Sequence, residues 1–191
     1  ADWERWKMAE AFDRPEDFFT RSNARMAGER LRGLNAIRSN PNVVGHSTTG
    51  TVDQGMSGEG LWTTFREMKP GTFDAVFDGF APLRWCLFAE PLNAYRGSRI
   101  RLEAVLANED ALRPGEHTAR LIVVGPGPTR LLDRRITVTI PEGKELPFAI
   151  PAFAEDLVAG GPPGEYRFLA AFEAGGAAAG GEAVFHVADA R

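Results

Sequence analysis

The hydrophobic positions of the first third of the chain follow a helical period. Ala27, Leu31 and Leu34 recur at spacings of four and three residues, which is typical of one face of an α-helix. Pro15 and the two acidic residues after it suit the first turn of such a helix. Asn40, which is followed by proline, ends it. The pattern predicts one long helix over this part of the sequence.

Shorter apolar patterns lie on either side of this helix. DWERWKMAEAF at the amino terminus and FDAVFDGF at residues 73–80 both have helical spacing. NVVGHS, at residues 42–47, is typical of a short buried strand. The predicted order is therefore helix, helix, strand, loop, helix, and it leaves the one strand without a partner in this part of the chain.

From residue 83 onward the apolar residues alternate with a period of two. RIRLEAVL, RITVTI, YRFLAAF and EAVFHV each place their apolar residues on one face, and LRWCLFAE, TARLIVVG and LPFAI add three more strand patterns. Glycine and proline pairs between them are typical of turns. We expect an antiparallel β-sandwich of immunoglobulin-like size. The fold class of the whole chain is then α+β.

Composition and charge narrow the classes of function. A net charge of -4 over 191 residues argues against a nucleic-acid partner, since phosphate binding needs a basic surface. No apolar run approaches the roughly 20 residues that span a bilayer, so no membrane partner is expected. The single cysteine excludes an intrachain disulfide. The three histidines and this cysteine lack the spacing of metal ligands, so we expect neither a metal nor a cofactor.

Residues 45–70, which we call the polar loop, concentrate polar and aromatic side chains between the predicted strand and the last predicted helix. Loops longer than about 12–15 residues are uncommon, and they are usually either functional or disordered. The polar loop therefore supplies the candidate binding residues, which are His46, Asp53, Gln54, Glu59, Trp62 and Arg66.

Three short motifs appear in a fixed order around the polar loop. Gly60 and Leu61 are followed by an Arg-x-x-Lys-Pro run that begins at Arg66, and Ala81 and Pro82 lead into LRWCLF. This order resembles the end of the catalytic (β/α)8 barrel of glycoside hydrolase family 2, the β-galactosidase and β-mannosidase group, together with that family's C-terminal β-sandwich. The resemblance implies that residues 1–81 are the last segment of a barrel and residues 82–191 the sandwich.

The resemblance also implies a place for the candidates. Active sites of such barrels lie at the C-terminal face, so the polar loop would lie on the substrate side. Trp62 would stack on a sugar ring, and Asp53, Gln54 and Arg66 would bind sugar hydroxyls. The resemblance places the two catalytic glutamates of the family upstream of this chain, so we assign no catalytic residue here. The carbohydrate substrate would be a β-galactoside or a related β-glycoside.

Each candidate also has a structural interpretation. Asp53 and Gln54 would cap a turn, Glu59 would be an ordinary exposed acid, Trp62 would pack beneath the loop, Arg66 would form a salt bridge, and His46 would be a core histidine. The alternative function is a non-catalytic β-sandwich module that binds carbohydrate or protein.

The predicted helical segment leaves several large apolar side chains without strand partners. We expect this segment to pack on the upstream part of the same enzyme, to self-associate, or to rearrange onto the sandwich. The residues concerned are Phe19, Leu31, Leu34, Val43 and Val44.

Overall fold

The chain is α+β, as predicted, in a computed structural model that describes residues 2–55, 57–143, 148–174 and 176–190. Within these ranges, three α-helices lie at Asp2–Arg5 (α1), Pro15–Arg38 (α2) and Thr72–Gly79 (α3), with a 3-10 turn at Met8–Glu10. The long helix and the helix after the polar loop both form where the sequence predicts them. The amino-terminal pattern forms only the short α1 and the 3-10 turn.

The described chain divides into two compact units that interleave in sequence. The first unit comprises Ala1–Leu34 and Gly45–Asp78, and the second comprises Asn35–Val44 and Gly79–Arg191. Helix α2 therefore contributes its first turns to one unit and its last turn to the other. The division of the chain into a barrel segment and a sandwich at residue 81 stays a prediction.

Helix α2 begins with Pro15 as its first residue, where the missing N–H costs no helical hydrogen bond. Glu16 and Asp17 occupy its first turn, where negative charge is favourable. Ala27 and Leu34, from the predicted apolar face, are buried. The periodicity of the sequence thus identified the helix and part of its buried side, since Leu31 of the same predicted face is only half-buried.

The predicted strand over residues 42–47 is wrong. These residues have no strand structure, and the side chain of Val44 is fully exposed while Val43 is 37% exposed. A strand needs a neighbour to bond its N–H and C=O groups, and no described residue pairs with this stretch. Two adjacent valines raise the local strand propensity, but without a partner the backbone stays open to water.

Among the described residues of the second unit, eight strands form two sheets. Their bounds are Leu83–Glu90 (β1), Asn93–Tyr95 (β2), Arg99–Asn108 (β3), Gly115–Val124 (β4), Arg130–Ile140 (β5), Ala149–Val158 (β6), Gly164–Phe172 (β7) and Glu182–Ala188 (β8). One sheet has the order β1-β3-β6 and the other has β2-β8-β7-β4-β5. All neighbours are antiparallel except the parallel pair β2 and β8. Of the predicted strand LPFAI, the first two residues lie outside the described ranges.

The two sheets share one hydrophobic core. On β3 every second residue is fully buried from Ile100 to Leu106, which is the face that the alternation predicts. Trp85 of β1 and Phe168 of β7 bring large rings into the same core from opposite sheets. Burial of one such large side chain stabilises a fold by about 1.5–3 kcal/mol. The second unit therefore has a β-sandwich core of its own.

Tyr166 closes one end of this sandwich. Its hydroxyl donates a 2.7 Å hydrogen bond to the carbonyl of Pro162, four residues earlier. Gly125 and Gly161 lie against the ring, where an added Cβ would come within 2.2 Å of tyrosine atoms. A tyrosine that bonds back to the backbone at a strand corner is typical of immunoglobulin-like sandwiches.

A buried polar cluster joins the last turn of α2 to the sandwich within the second unit. The guanidinium of Arg38 donates to the carbonyls of Gly79 at 2.8 Å and Ala81 at 2.6 Å, and it lies over the Phe148 ring at 5.0 Å. Burial lowers the pKa of Arg38. Nearby, Arg84 donates to the Asn35 side chain at 2.9 Å. These contacts fix the chain where it enters β1.

Candidate functional site

The polar loop folds onto itself within the first unit. Trp62 forms a parallel bridge with Val52 and an antiparallel bridge with Met68, and Gln54 bridges Ser57. The N–H of Asp53 donates to the Trp62 carbonyl at 2.8 Å. These backbone bonds give the loop a defined shape without a regular strand.

A buried ion pair lies at the centre of the loop. The Lys69 ammonium is 2.7 Å from the Asp53 carboxylate, and only 6% of the lysine side chain and 15% of the aspartate side chain are exposed. Asp53 also accepts a 2.8 Å hydrogen bond from the N–H of Gly60. Because its carboxylate is occupied by these two partners, Asp53 acts in this structure as an internal support of the loop.

Residues 58–60 are held through their backbone by three charged side chains. Lys69 donates to the Gly58 carbonyl at 2.5 Å, Arg30 of α2 donates to the Glu59 carbonyl, and Asp53 accepts from Gly60. At Gly60 an added Cβ would lie 2.5 Å from the backbone nitrogen of Asp53, so only glycine fits there. We call residues 58–60 the anchored segment.

Trp62 is half-buried and packs against the first turn of α3. Its ring meets the Phe73 ring edge to face, with a centroid distance of 4.9 Å and an interplanar angle of 76°. Such a contact is favourable beyond simple burial. Part of the indole remains open to solvent, so the ring has both a packing contact and an exposed surface.

The other four candidates are exposed. Gln54 and Glu59 lie on the same folded part of the loop as Asp53 and Trp62. Arg66 is exposed at the turn between Trp62 and Met68, with a left-handed φ of 68°. His46 lies at the start of the loop, outside the bridged region. The structure thus brings Asp53, Gln54, Glu59 and Trp62 into one small folded element, with Arg66 on its tip.

Two charged residues that shape this element were missed from the sequence. Lys69 appeared there only as part of the Arg-x-x-Lys-Pro run, and nothing in the sequence distinguished Arg30 from the other charged residues of the long helix. Lysine is almost never fully buried without a partner. Its burial becomes visible only when Asp53, sixteen residues earlier, is seen beside it.

Asn108 and Glu109 have structural roles in the second unit. The Asn108 side chain accepts from the N–H of Leu112 at 2.8 Å and so caps the turn after β3. Glu109 accepts a 2.9 Å bond from Arg38. Both side chains are therefore occupied in holding the fold.

Two clefts lie away from the polar loop. One, of about 450 Å³, lies in the first unit around Phe12, Arg14 and Arg21, and the other, of about 310 Å³, lies in the second unit around Asn40, Phe88 and Arg101. None of the six candidates lines either cleft.

Among the described residues, no three or more histidine, cysteine, aspartate or glutamate side chains are grouped closely enough to hold a metal ion. Of the helices in the described ranges, none combines the length and apolar character that crossing a bilayer requires.

No protein-family model matches the sequence, and no curated protein matches it, so these comparisons do not support membership of family 2. Among solved structures, the chain is similar to EmGH1, a β-glucosidase from Erythrobacter marinus, with a TM-score of 0.36 and 13% identity. The likeness covers 53% of this chain and 15% of that one. At this TM-score it carries no argument about fold or activity.

Proposed function

We propose that this chain is the C-terminal portion of a glycoside hydrolase related to family 2, acting on β-galactosides or related β-glycosides. It would supply the last barrel segment, a loop on the substrate side and a supporting sandwich. The order of the motifs at Gly60, Arg66 and Ala81 supports the family. The observation that carries the proposal is the contrast between the two units in what they bury.

Within the described ranges, Leu34 is the one large apolar side chain that the first unit buries. The unit's buried apolar residues in the described ranges are Ala27, Leu34 and Ala75. Its exposed large apolar residues are Trp6, Phe19, Phe65, Met68 and Phe77, of which Phe65 and Phe77 are each more than four-fifths exposed. Soluble monomers seldom expose large apolar patches without an interaction partner. The composition of this surface fits a segment that packs on a larger body, as a barrel segment would.

The anchored segment and its neighbours suit a substrate-side loop. Gln54, Glu59 and Arg66 present exposed polar groups, and the half-buried Trp62 offers part of an aromatic face. Sugars bind through hydroxyl hydrogen bonds together with stacking on aromatic rings. A retaining glycosidase also needs two carboxyl groups about 5–5.5 Å apart, and in this proposal the upstream barrel provides them. The chain alone would bind weakly and would not hydrolyse.

Reconstitution tests this proposal. The chain would be produced joined to the segment encoded upstream, and separately co-expressed with it, and each would be assayed on chromogenic β-galactosides, β-glucosides and β-mannosides. Hydrolysis that needs both parts is the expected result, with the upstream part alone as the control. If the joined protein is folded and hydrolyses none of these substrates, the proposal is wrong.

The self-sufficient core of the second unit favours one alternative, a non-catalytic module. A sandwich with its own core can act as a separate binding domain, and Tyr95 is an exposed aromatic residue on it. A glycan array distinguishes the two functions, because a carbohydrate-binding module retains glycans without any upstream segment. Retention that the substitution Tyr95→Ala abolishes would favour the module.

A further inference from the structure

We infer that Lys69 and Arg30 are positioning residues, which fix the backbone of the anchored segment so that the Glu59 carboxylate is presented to hydroxyl groups of a saccharide. This inference rests on the proposed function and adds to it the mechanism by which the loop would be organised before a ligand arrives.

The sequence gives the anchored segment a wide range of backbone conformations. Glu59 lies between Gly58 and Gly60, and glycine has the widest range of backbone conformations. Left free, such a segment would sample many orientations of the glutamate. Binding would then lose affinity to the entropy of ordering the loop.

In the structure, the backbone of each of the three residues is hydrogen-bonded to a charged side chain. Lys69 holds the Gly58 carbonyl, Arg30 holds the Glu59 carbonyl, and Asp53 holds the Gly60 N–H. Hydrogen bonds to charged groups are about twice as strong as neutral ones. Three such hydrogen bonds at consecutive residues restrict the backbone conformations that the flanking glycines would otherwise allow.

The buried ion pair between Lys69 and Asp53 bears on the shape of the loop as well as on stability. Taking Lys69 and Asp53 out of water is costly, and well-packed apolar residues often stabilise a protein as well as a buried pair does. Stability alone is therefore a weak reason for this pair. Its two extra bonds to the anchored segment indicate that it specifies the shape of the loop.

The Glu59 side chain itself remains available to accept hydrogen bonds from a ligand. All three hydrogen bonds to the anchored segment engage its backbone atoms, and the Glu59 carboxylate has no hydrogen bond or ion pair with any residue that the structure describes. Its side chain lies across Gly50, where an added Cβ would be 2.7 Å from the Glu59 Oε1. An exposed, unpaired carboxylate on a fixed backbone is suited to accept hydrogen bonds from sugar hydroxyls.

Nuclear magnetic resonance on the full chain tests the inference. Backbone ¹⁵N relaxation at Gly58, Glu59 and Gly60 would be compared between the wild type and Lys69→Met, with Lys7→Met as the matched control because Lys7 is exposed. The same proteins and Glu59→Gln, each joined to the segment encoded upstream, would be titrated with methyl β-galactopyranoside. Asp53→Asn combined with Lys69→Met removes both buried charges and serves if the single variant does not fold.

We expect order parameters near 0.85 for these three amides in the wild type and values below about 0.6 when Lys69 is replaced, with no change for Lys7→Met. We also expect sugar affinity to fall about tenfold in the Lys69 and Glu59 variants, the size of one charged hydrogen bond. Arg30→Lys, which keeps a donor, should retain more affinity than Arg30→Met.

The outcomes separate this inference from the proposed function. If the amides stay equally rigid in a folded Lys69 variant, or if they become mobile while sugar affinity is unchanged, the positioning role is wrong and the proposed function stands. If the wild type joined to its upstream segment binds no methyl β-galactoside, β-glucoside or β-mannoside, the proposed function is overturned together with the ligand assigned here.

Discussion

The Arg38 guanidinium, which is almost fully buried, donates a 2.9 Å hydrogen bond to the half-exposed carboxylate of Glu109. The two residues are 71 positions apart, and the bond ties the last turn of α2 to the turn after β3. Arg38 also donates to the carbonyls of Gly79 and Ala81, whereas among the described residues Glu109 has Arg38 as its one side-chain partner. Removing Arg38 would therefore leave more groups without a hydrogen-bond partner than removing Glu109 would.

Replacing the two residues separately should reveal that difference. Arg38→Met leaves two carbonyls without a donor, and we expect it to lower the free energy of unfolding by about 2–5 kcal/mol. Glu109→Gln leaves Arg38 bonded to the carbonyls, and we expect a loss below about 1 kcal/mol. Urea denaturation followed by circular dichroism measures both. Equal losses would show that the carboxylate, and not the carbonyls, is the important partner.

Asp133 should titrate at unusually low pH. The hydrogen bond from Arg120, with a second from Arg130, lowers the pKa of Asp133 from 3.8 to about 2. Because the folded pKa is below the unfolded one, this contribution to stability is present above about pH 4 and is lost as pH falls through about 2. Carboxyl ¹³C shifts measured from pH 6 to 1.5 would give the midpoint. A midpoint near 4 would contradict the expectation, and Asp133→Asn should remove this part of the acid dependence.

Cys86 should be unreactive in the folded chain. Burial raises the pKa of its thiol from 9.0 to about 11, although the nearby Arg84 and Arg38 act in the opposite direction. At pH 8 we expect a thiol reagent such as DTNB to react only after denaturant is added. Since the folded pKa lies above the unfolded one, the contribution to stability is complete below about pH 9 and is lost as pH rises through about 11. Rapid labelling without denaturant would show that β1 opens locally.

Gly60→Ala should disturb the polar loop. The new Cβ would clash with the backbone of Val52 and Asp53, which cannot move without breaking the loop's own bonds. Gly55→Ala is the matched control, because no atom lies within 4 Å of its added Cβ. We expect a change in the near-ultraviolet signal of Trp62 and faster proteolysis of the loop in the first variant only. The same behaviour in both would contradict the packing at Gly60.

The chain should associate through its first unit. Phe65 and Phe77 are more exposed than any other aromatic residues in the described ranges, and covering them would recover hydrophobic free energy. Light scattering should show a mass that rises with concentration for the wild type and less so for Phe65→Ser with Phe77→Ser. Tyr95→Ser removes an exposed aromatic residue from the second unit and should leave association unchanged. A wild type that stays monomeric at every concentration would contradict this expectation.

The β-sandwich could be predicted because its signal is local. Ile100, Leu102 and their successors alternate strictly, and turn residues punctuate the strands, so each strand is visible in its own few residues. The short β2 was missed because three residues are too few for alternation, and its parallel pairing with β8 joins residues more than ninety positions apart. The false strand at Val43 and Val44 has the opposite cause, since propensity was present and a partner was not.

The site was only partly predictable for the same reason. Residues with binding chemistry, such as Trp62 and Glu59, can be recognised from their type and from the length of the loop. Whether such a side chain is already bonded within the protein depends on partners that are distant in sequence, as Lys69 is from Asp53. The charge pattern gives the members of these pairs but not their pairing.

Helix α2 divides its residues between the two units, and this limits how the sandwich could be moved between proteins. A cassette excised at Pro82 would discard Asn35 and Arg38, and with them the buried bond from Arg84 to Asn35 and the bond from Arg38 to Glu109. Transplantation of the sandwich into another enzyme would therefore have to carry the end of that helix along, as a second, separate insertion.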